Sequence, residues 1–287
     1  MVEVGREDVA GLLPCRPDDM HKGGRGRLLI VGGSERYPGA PALSALGALR
    51  SGAGVVTLLS LPCVCAACAA RLPEVVQRPV EDPARWIDAA IEEASSSSAA
   101  VVGPGLGRSD EAMAFAVGMW ERWPGWLLMD GDGLFALASH ARAPGPSPRG
   151  DAVITPHEGE AARLLGTGAE AVRADRIGAV RTLADRWGCA LLKGRGTLVA
   201  RRGEDRVRRL GWGGAELAVP GSGDVLSGCI GAALASGLSP LDAAVLGASL
   251  HGMAGDRLRV GGIDGALASE IAHALRDAIH GMREEKA

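Results

Sequence analysis

A glycine-rich turn that ends in a carboxylate is the stretch of this sequence best suited to catalysis. Gly221, Ser222, Gly223 and Asp224 precede an apolar segment of small residues, 229–237, that predicts a helix. Backbone N–H groups that no side chain covers, together with the positive end of a helix dipole, form a site for an anion. Asp224 stands where a carboxylate could take the proton of a hydroxyl that attacks a phosphoryl group. The turn alone does not decide between this chemistry and simple helix capping by Asp224, with the glycines allowing close packing.

The segments that must position this turn predict a parallel α/β sheet. Short apolar runs, typical of buried parallel strands, alternate with helical patterns along most of the chain. The predicted strands cover residues 27–33, 55–59, 99–102, 126–129, 152–154, 189–192 and 197–200. Helices cover both faces of such a sheet. A three-layer α/β fold is therefore expected, with residues 1–287 in a single domain.

Turns rich in glycine and polar residues follow most of the predicted strands. In chain order they are residues 32–33, 103–107, 130–133, 155–160, 193–197 and 221–224. Ligands of open α/β sheets bind at the carboxyl ends of the strands, so these turns are expected to meet in one crevice. None of them matches the dinucleotide fingerprint or a Walker A loop. Any bound phosphate must therefore be held by several separate turns.

Composition and charge bound the class of protein. Of the 287 residues, 47% are hydrophobic and 23% are charged, which is ordinary for a globular chain with a large core. The formal charge is −3 with interspersed signs, so no nucleic-acid surface and no membrane-surface patch is expected. No apolar run reaches the roughly 18 residues of a membrane span, and residues 1–8 lack the apolar stretch of a signal peptide. A cytoplasmic protein is the expectation.

Three of the six cysteines form a cluster that invites a metal or cluster interpretation. Cys63, Cys65 and Cys68 lie within six residues, but no fourth clustered Cys or His is near them. The run continues as a helix-like pattern. Reduced, partly buried thiols are therefore the favoured interpretation.

Taken together and in this order, the turns resemble those of the NAD(P)H-hydrate dehydratases, a branch of the ribokinase-like superfamily. The matching residues are His21-Lys22-Gly23 with Gly26-Arg27, Val31-Gly32-Gly33-Ser34, Tyr37 with Gly39-Ala40-Pro41-Ala42, Gly103-Pro104-Gly105-Leu106-Gly107, Thr155-Pro156-His157 with Gly159-Glu160, Lys193-Gly194 with Thr197, and Gly223-Asp224-Val225-Leu226. Each motif alone is weak, but the ordered set is specific. Many members carry a second, amino-terminal epimerase domain. No such domain is expected here, because the first predicted strand lies close to the start of this sequence.

The resemblance implies a ribokinase-like fold and the repair of damaged nicotinamide cofactors. The substrate would be the hydrate of NADH or NADPH, which carries a hydroxyl on the reduced nicotinamide ring. ADP or ATP would phosphorylate that hydroxyl, and loss of phosphate would restore the ring double bond. Phosphate is a far better leaving group than water, so a kinase-like site can serve a lyase. A homo-oligomer, such as a tetramer, is also expected.

The resemblance further implies roles for individual residues. Asp224 would be the base, and the N–H groups of Gly221, Ser222 and Gly223 would form an anion hole for the transferring phosphoryl group. The residues implied to contact the hydrate are Ala40, Gly105, His157 and Asp224. The residues implied to bind the nucleotide are Lys193, Gly194, Arg195, Gly196, Thr197 and Gly223. Mg²⁺ would bridge the phosphates, with no protein ligand predicted.

Several of these residues have ordinary structural alternatives. As a lone histidine at a predicted helix start, His157 would more often be a capped surface residue. Lys193 could be a solvated turn lysine. Asp130 and Asp132 could bind a metal as a pair or serve only as turn residues. Glu160 could cap its helix or reach a water on magnesium.

The sequence departs from the family pattern at a few positions. The family usually has Thr-Gly-Gly-Thr-Gly-Asp at the anion turn, where this chain has Val219, Pro220 and then Gly-Ser-Gly-Asp. Phe135 stands where Asn is frequent, and Glu158 stands where Pro is frequent. These changes leave the fold prediction intact but bear on substrate affinity and nucleotide preference.

Two rival functions follow from the same residues. One is a small-molecule kinase of the superfamily, of the hydroxymethylpyrimidine or hydroxyethylthiazole type, which releases the phosphorylated product. The other is a catalytically silent nucleotide-binding protein, consistent with the altered anion turn. The pairing of the 103–107 and 155–157 turns favours the dehydratase over the kinase, and retention of Asp224 argues against a silent protein.

Overall fold

A single mixed sheet runs through the protein. The computed structural model describes residues 1–15, 17, 21–140, 147–260, 262 and 264–284. The strands are β1 (Val2–Glu3), β2 (Arg27–Val31), β3 (Val55–Ser60), β4 (Val76–Pro79), β5 (Ala99–Val102), β6 (Trp126–Met129), β7 (Ala152–Ile154), β8 (Cys189–Leu192), β9 (Thr197–Arg201) and β10 (Arg208–Leu210). Their order across the sheet is β1-β10-β9-β8-β7-β6-β5-β2-β3-β4. All neighbouring pairs from β8 to β4 are parallel, and β9 is antiparallel to both of its neighbours.

Helices cover both faces of this sheet. They are α1 (Arg6–Leu12), α2 (Ala40–Ser51), α3 (Pro62–Ala69), α4 (Trp86–Glu93), α5 (Asp110–Arg122), α6 (Asp132–His140), α7 (Glu158–Leu165), α8 (Ala169–Ala174), α9 (Arg176–Trp187), α10 (Ser222–Ala235), α11 (Pro240–Arg259) and α12 (Ala268–Glu284). In β2, Leu28 and Ile30 join a core with α2, α10, α11 and α12, whereas Leu29 and Val31 join a second core with α4 to α9. The predicted three-layer, mostly parallel α/β fold is confirmed.

Small residues let α2 and α10 pack with their backbones almost in contact. A Cβ atom at Gly228 would collide with the carbonyl oxygen of Ser44, and one at Gly47 would collide with the carbonyl oxygen of Val225. Any larger side chain at these two glycines would push the helices apart. This close packing brings the first turns of the two helices together, and those turns carry Ala40 and Asp224.

The loops that build the candidate site leave the sheet where the strand order reverses. From β2 the chain proceeds outward to β3 and β4, whereas β5 lies on the other side of β2. Such a switch point opens a crevice at the carboxyl ends of the strands. Across it, the Gly33 N–H donates to the Pro104 carbonyl at 2.8 Å, and the Ser34 hydroxyl donates to the Gly105 carbonyl at 2.9 Å. The two loops therefore form one wall.

The structure adds elements that the sequence pattern did not predict. The strands β1, β4 and β10 and the helices α6 and α8 are all short and partly exposed. The alternating charges of residues 201–209 are typical of an exposed edge hairpin. This segment contains the turn from β9 to β10, but β1 lies outside β10 and forms the edge. No helix in the described ranges combines the length and the apolar character needed to cross a bilayer.

Candidate active site

A cavity of about 800 Å³ lies in the crevice at the switch point. Its walls come from the loop after β2, the loop after β5, the first turn of α4 and the beginning of α6. Ala40 and Gly105, two of the predicted substrate contacts, line it, and so do Asp224 and Glu160. The cavity therefore joins residues that are more than 180 positions apart in the chain.

Asp130, at the end of β6, organises the polar floor beside this cavity. Its carboxylate is only 3% exposed and accepts hydrogen bonds from Lys193 Nζ at 2.9 Å, Thr155 Oγ1 at 2.8 Å and Ser227 Oγ at 2.6 Å. Burial alone would raise the pKa of Asp130, but the Lys193 charge and these hydrogen bonds outweigh it and lower the pKa. Asp130 is therefore a buried carboxylate tied to the ends of β7 and β8 and to α10.

Lys193 is a partly buried partner of two carboxylates. Its Nζ lies 2.9 Å from Asp130 Oδ1 and 3.7 Å from Glu160 Oε2. Burial opposes the charged ammonium, yet the neighbouring carboxylates of Asp130 and Glu160 raise the pKa of Lys193 overall. The solvated-lysine alternative does not describe this side chain.

Asp224 is the carboxylate of this site that is poised to exchange a proton. It is the third residue of α10 and lines the cavity. Burial, followed by the charge of Asp130, raises the pKa of Asp224 to about 7, while Lys193 acts in the opposite direction. A carboxyl group with such a pKa can act as a general base near neutral pH.

The first turn of α10 leaves backbone donors open. Its N-cap, Gly221, has a φ of 88° and no side-chain cap. Among the described residues, the N–H groups of Gly223 and Asp224 have no hydrogen-bond partner. Two orphan donors at a helix N-terminus form a site for an anion.

Ser222 differs from its neighbours in this turn. Its N–H donates to the Val219 carbonyl at 3.2 Å, and its buried hydroxyl lies 3.2 Å from His251 Nε2. Burial lowers the pKa of His251 to about 4, so the imidazole is neutral at physiological pH. Both polar groups of Ser222 are therefore engaged within the protein, whereas the N–H of Gly223 is open.

The turn between β8 and β9 carries the other predicted nucleotide contacts. Gly194 and Gly196 have φ values of 138° and 66°, and Thr197 Oγ1 donates to the Gly194 carbonyl at 3.0 Å. The Arg176 guanidinium lies directly against Gly194, and Arg195 is exposed. Lys193, at the start of the turn, reaches the floor of the cavity beside Gly223. The turn is thus linked to the α10 terminus.

The Arg176 guanidinium also binds the side chain of Glu158. Arg176 Nη1 donates to Glu158 Oε1 at 2.8 Å, and Arg176 Nη2 lies 3.4 Å from the carbonyl oxygens of Leu192 and Lys193. Glu158 therefore connects the start of α7 to the turn between β8 and β9 through one arginine.

His157 is the N-cap of α7 and is largely exposed. Its Nδ1 accepts from the Gly159 N–H at 3.0 Å, and Glu160 Oε2 accepts from the His157 N–H at 2.9 Å. This reciprocal pair is a capping box. His157 thus has the geometry of a helix cap, which was its structural alternative in the sequence analysis. Glu160 takes part in this cap and also lines the cavity.

Asp132 belongs to the cavity wall. Its Oδ2 accepts from the Gly107 N–H at 2.9 Å, and its Oδ1 accepts from Arg108 Nε at 2.8 Å. The described residues include no group of three or more His, Cys, Asp or Glu side chains arranged to hold a metal. Asp130 and Asp132 thus bind protein donors, the first inside the floor and the second at the wall.

Sequence reasoning did not identify Arg108, Tyr37 or Trp86 as part of the site, although all three line the cavity. Arg108 directly follows the glycine motif 103–107, and Tyr37 belongs to one of the motifs that resemble the family, so both loop positions gave a signal. Trp86 begins α4 and gave none. Nothing in the sequence showed where these side chains point.

The cysteine cluster lies on α3, as its helix-like pattern predicted. Cys65 and Cys68 are buried, whereas Cys63 is exposed. Burial raises the pKa of Cys65 to about 11 and also raises that of Cys68. Both buried thiols are therefore protonated and unreactive.

Comparison with known proteins gives a consistent result. A family model described as NAD(P)H-hydrate dehydratase matches residues 28–276. The bifunctional NAD(P)H-hydrate repair enzyme of Thermanaerovibrio acidaminovorans is 39% identical over 292 residues, covering 98% of this chain and 56% of that protein. The chain spans about half the length of such bifunctional relatives.

Two further proteins match along most of their length. The ADP-dependent (S)-NAD(P)H-hydrate dehydratase of Neisseria meningitidis serogroup B is 38% identical over 269 residues, covering 91% of this chain and 88% of that protein. The crystal structure of the ADP/ATP-dependent NAD(P)H-hydrate dehydratase from Bacillus subtilis, co-crystallized with ATP/Mg²⁺, superposes with a TM-score of 0.82 at 26% identity, covering 97% of each chain. With this fold and this match over residues 28–276, the chain belongs to the NAD(P)H-hydrate dehydratase family.

Proposed function

We propose that this protein dehydrates hydrated NADH or NADPH at the expense of ADP or ATP. The observation that carries the proposal is Asp224, whose carboxyl group has a pKa of about 7 and lies at the open N-terminus of α10 beside a large cavity. The Neisseria and Bacillus relatives, an ADP-dependent and an ADP/ATP-dependent dehydratase, support the same reaction.

The reaction would begin with phosphoryl transfer to the hydroxyl of the hydrated ring. Asp224 takes the hydroxyl proton while the oxygen attacks the terminal phosphorus of the nucleotide, and the shortened nucleotide leaves. The N–H groups of Gly223 and Asp224 stabilise the charge on the transferring group. The carbon–oxygen bond then breaks with loss of phosphate, and a proton leaves the adjacent ring carbon to restore the double bond.

The buried floor keeps the charges of this site fixed. Lys193 is held by Asp130 and Glu160 and therefore carries a fixed positive charge near the phosphates. We assign nucleotide binding to the turn Lys193–Thr197 together with Gly223, and contact with the hydrate to Ala40, Gly105 and Asp224. His157, as the N-cap of α7, is proposed to support Glu160 rather than to bind substrate itself.

Magnesium fits this site as a companion of the nucleotide. Mg²⁺ is usually held by one or two carboxylates together with substrate phosphates rather than by an all-protein cage. The described residues offer no such cage. Glu160, which lines the cavity and lies 3.7 Å from Lys193, is the carboxylate we assign to this ion. When bound, Mg²⁺ would neutralise charge on the phosphates.

Other properties of the protein are part of the proposal. We propose that residues 1–287 act as one domain, that the protein works in the cytoplasm, and that copies of the chain assemble into a homo-oligomer such as a tetramer. Size-exclusion chromatography with light scattering tests the assembly.

The decisive experiment follows the absorbance of the reduced nicotinamide ring in the near ultraviolet. The protein is mixed with NADH hydrate or NADPH hydrate, Mg²⁺, and either ADP or ATP. Recovery of the absorbance, with one nucleotide consumed for each ring repaired, supports the proposal. Nucleotide consumption without recovery would indicate a kinase that releases its phosphorylated product. Nucleotide binding without consumption would indicate a catalytically silent protein.

A further inference from the structure

More carboxylates than cationic side chains line the cavity. Among the described residues that line it, the carboxylates are Glu35, Asp132, Glu160 and Asp224, and the cationic side chains are Arg36 and Arg108. A dinucleotide carries its negative charges on its phosphates, so carboxylate-lined walls repel these groups. Its phosphates must therefore lie where an arginine offsets the local negative charge.

Arg108 has both an ion pair and an aromatic contact, whereas Arg36 has a contact with the Tyr37 ring. Its Nε donates to Asp132 Oδ1 at 2.8 Å, and its guanidinium carbon lies 4.1 Å from the centroid of the Phe135 ring. Asp132 is itself fixed by the Gly107 N–H at 2.9 Å. The guanidinium is thus constrained in its plane by an ion pair and on one face by an aromatic ring, so little side-chain entropy remains to be lost on binding.

This arrangement leaves the outer edge of the guanidinium free. Among the described residues, no acceptor bonds to Arg108 Nη1 or Nη2, and the side chain is 55% exposed. These two nitrogens form the fork that binds the two oxygens of a phosphate. The Phe135 ring also contacts the Arg163 guanidinium at 4.8 Å, so it is held between two cations and cannot easily turn aside.

We propose that Arg108, braced by Asp132 and Phe135, binds a phosphate group of the dinucleotide substrate and so contributes to its selection. The proposal rests on the proposed function. It gives a role to the Phe135 ring, against which the Arg108 guanidinium lies. Two phosphates could be the ligand: the diphosphate that joins the two nucleosides, or the 2′-phosphate that distinguishes NADPH from NADH.

The test uses the full-length protein and the variants Arg108→Gln and Arg108→Lys. Each is titrated with NADH and with NADPH, which carry the same phosphates as the hydrates and are read by their own fluorescence. A lost charge-assisted contact corresponds to about a ten-fold or larger rise in Kd. We expect Arg108→Gln to show this rise in Kd and in the KM for hydrate, with nucleotide KM and kcat within a few-fold of wild type. Arg108→Lys should recover part of the affinity.

Arg78→Gln is the matched control. Arg78 is similarly exposed, at 44%, and its Nη2 pairs with Glu92 Oε2 at 2.8 Å, but it lies outside the cavity. Phe135→Leu keeps the charge and the ion pair of Arg108 while removing the ring, so its loss of affinity should be smaller than that of Arg108→Gln. No change of Kd is expected for Arg78→Gln.

The outcomes distinguish the 2′-phosphate from the diphosphate as the ligand of Arg108. They also test this inference separately from the proposed function. A loss confined to NADPH assigns Arg108 to the 2′-phosphate, and an equal loss for NADH and NADPH assigns it to the diphosphate. Unchanged Kd values for both in Arg108→Gln, or a rise in nucleotide KM instead, overturn the inference. If wild-type protein binds NADPH through Arg108 but repairs neither hydrate, the proposed function fails while this inference stands.

Discussion

Among the helices that begin at the cavity, α7 and α10 have first turns of opposite kinds. At the start of α7, a capping box of His157 and Glu160 binds the N–H groups of His157, Gly159 and Glu160, and this cap closes the N-terminus. The start of α10 has glycine as its N-cap and no side-chain cap, and the N–H groups of Gly223 and Asp224 have no partner among the described residues. Both termini present the positive end of a helix dipole. The difference lies in the cap, which is His157 with Glu160 at α7 and Gly221, with a φ of 88°, at α10.

This difference shows which terminus is built for a ligand. Capping stabilises a helix by about 1 kcal/mol, and α10 forgoes that stabilisation at its first turn. It also carries a carboxylate whose pKa is raised to about 7 by burial and by Asp130. An uncapped terminus with a buried charge is unfavourable for stability and suited to catalysis, whereas α7 supplies structure and the side chain of Glu160.

The largest expected effect on turnover comes from removing the proton acceptor Asp224 at the uncapped N-terminus of α10. Asp224→Asn keeps the size of the side chain but cannot take a proton, so kcat should fall by about 10²–10⁴. Nucleotide affinity should be preserved because the N–H donors are untouched. Steady-state kinetics with NADH hydrate and calorimetric titration with nucleotide check the two parts, and near wild-type turnover would contradict the role of Asp224 as base.

The pH dependence should report the same carboxyl group. Asp224 acts as a base only when deprotonated, so kcat/KM should fall about ten-fold per pH unit below pH 7 and level off above it.

The contribution of Asp224 to the stability of the fold should change with pH in the direction opposite to kcat/KM. Because the folded-state pKa of Asp224 lies above its ordinary value of 3.8, folding becomes less favourable as pH rises from about 4 to about 7. The Tm of Asp224→Asn should therefore exceed that of wild type at pH values above 7 and match it near pH 4. Equal Tm values across this range would show that Asp224 is not destabilised by its surroundings.

A smaller effect is expected from covering the open donors. Gly223 has helical backbone, and a Cβ there would lie 3.6 Å from Lys193 Nζ, so Gly223→Ala should fold normally. The added methyl group would crowd a phosphate at the N–H group, and the nucleotide KM should rise about ten-fold through a weakened charge-assisted hydrogen bond. An unchanged nucleotide KM would place the phosphates elsewhere.

Gly194 is a poorer site for this experiment. Its φ of 138° is strained for any other residue, and a Cβ would lie 2.5 Å from Arg176 Nη1. A substitution there would disturb the turn itself.

The smallest effect on turnover is expected from a substitution at the capped N-terminus of α7. His157→Ala removes the cap of α7 and should cost about 1 kcal/mol of stability, with the hydrate KM within a few-fold of wild type. His157→Asn, which can still cap, should restore the stability. A large rise in hydrate KM without a change in Tm would show that His157 binds substrate after all.

Much of the fold could be predicted because buried strands leave a clear pattern. The predicted strands 99–102, 126–129, 152–154 and 189–192 coincide with β5, β6, β7 and β8. The pattern fails at β4, where Gln77 and Arg78 interrupt the apolar run, and at β1, which has only two residues. Edge strands bury too little apolar surface to be recognised.

The site was predictable in its backbone turns but not in its side-chain partners. Gly105, Lys193 and Asp224 were identified from motifs that must lie at strand ends. The pairing of Asp130 with its three donors was not predicted: nothing in the sequence shows that the side chains of Lys193, Thr155 and Ser227 all point to this carboxylate. Hydrogen bonds between residues this distant depend on packing, which a single sequence does not reveal.

The three hydrogen bonds to Asp130 join residues that are synthesised at different times. As the chain is synthesised, Asp130 emerges first, then Thr155, then Lys193, and Ser227 follows 97 residues after Asp130. Until that serine has left the ribosome, the buried carboxylate lacks one of its donors, and Asp224 of the same helix has only just appeared. The amino-terminal strands can pair earlier, but a nascent chain has no complete catalytic floor until its carboxyl-terminal third docks.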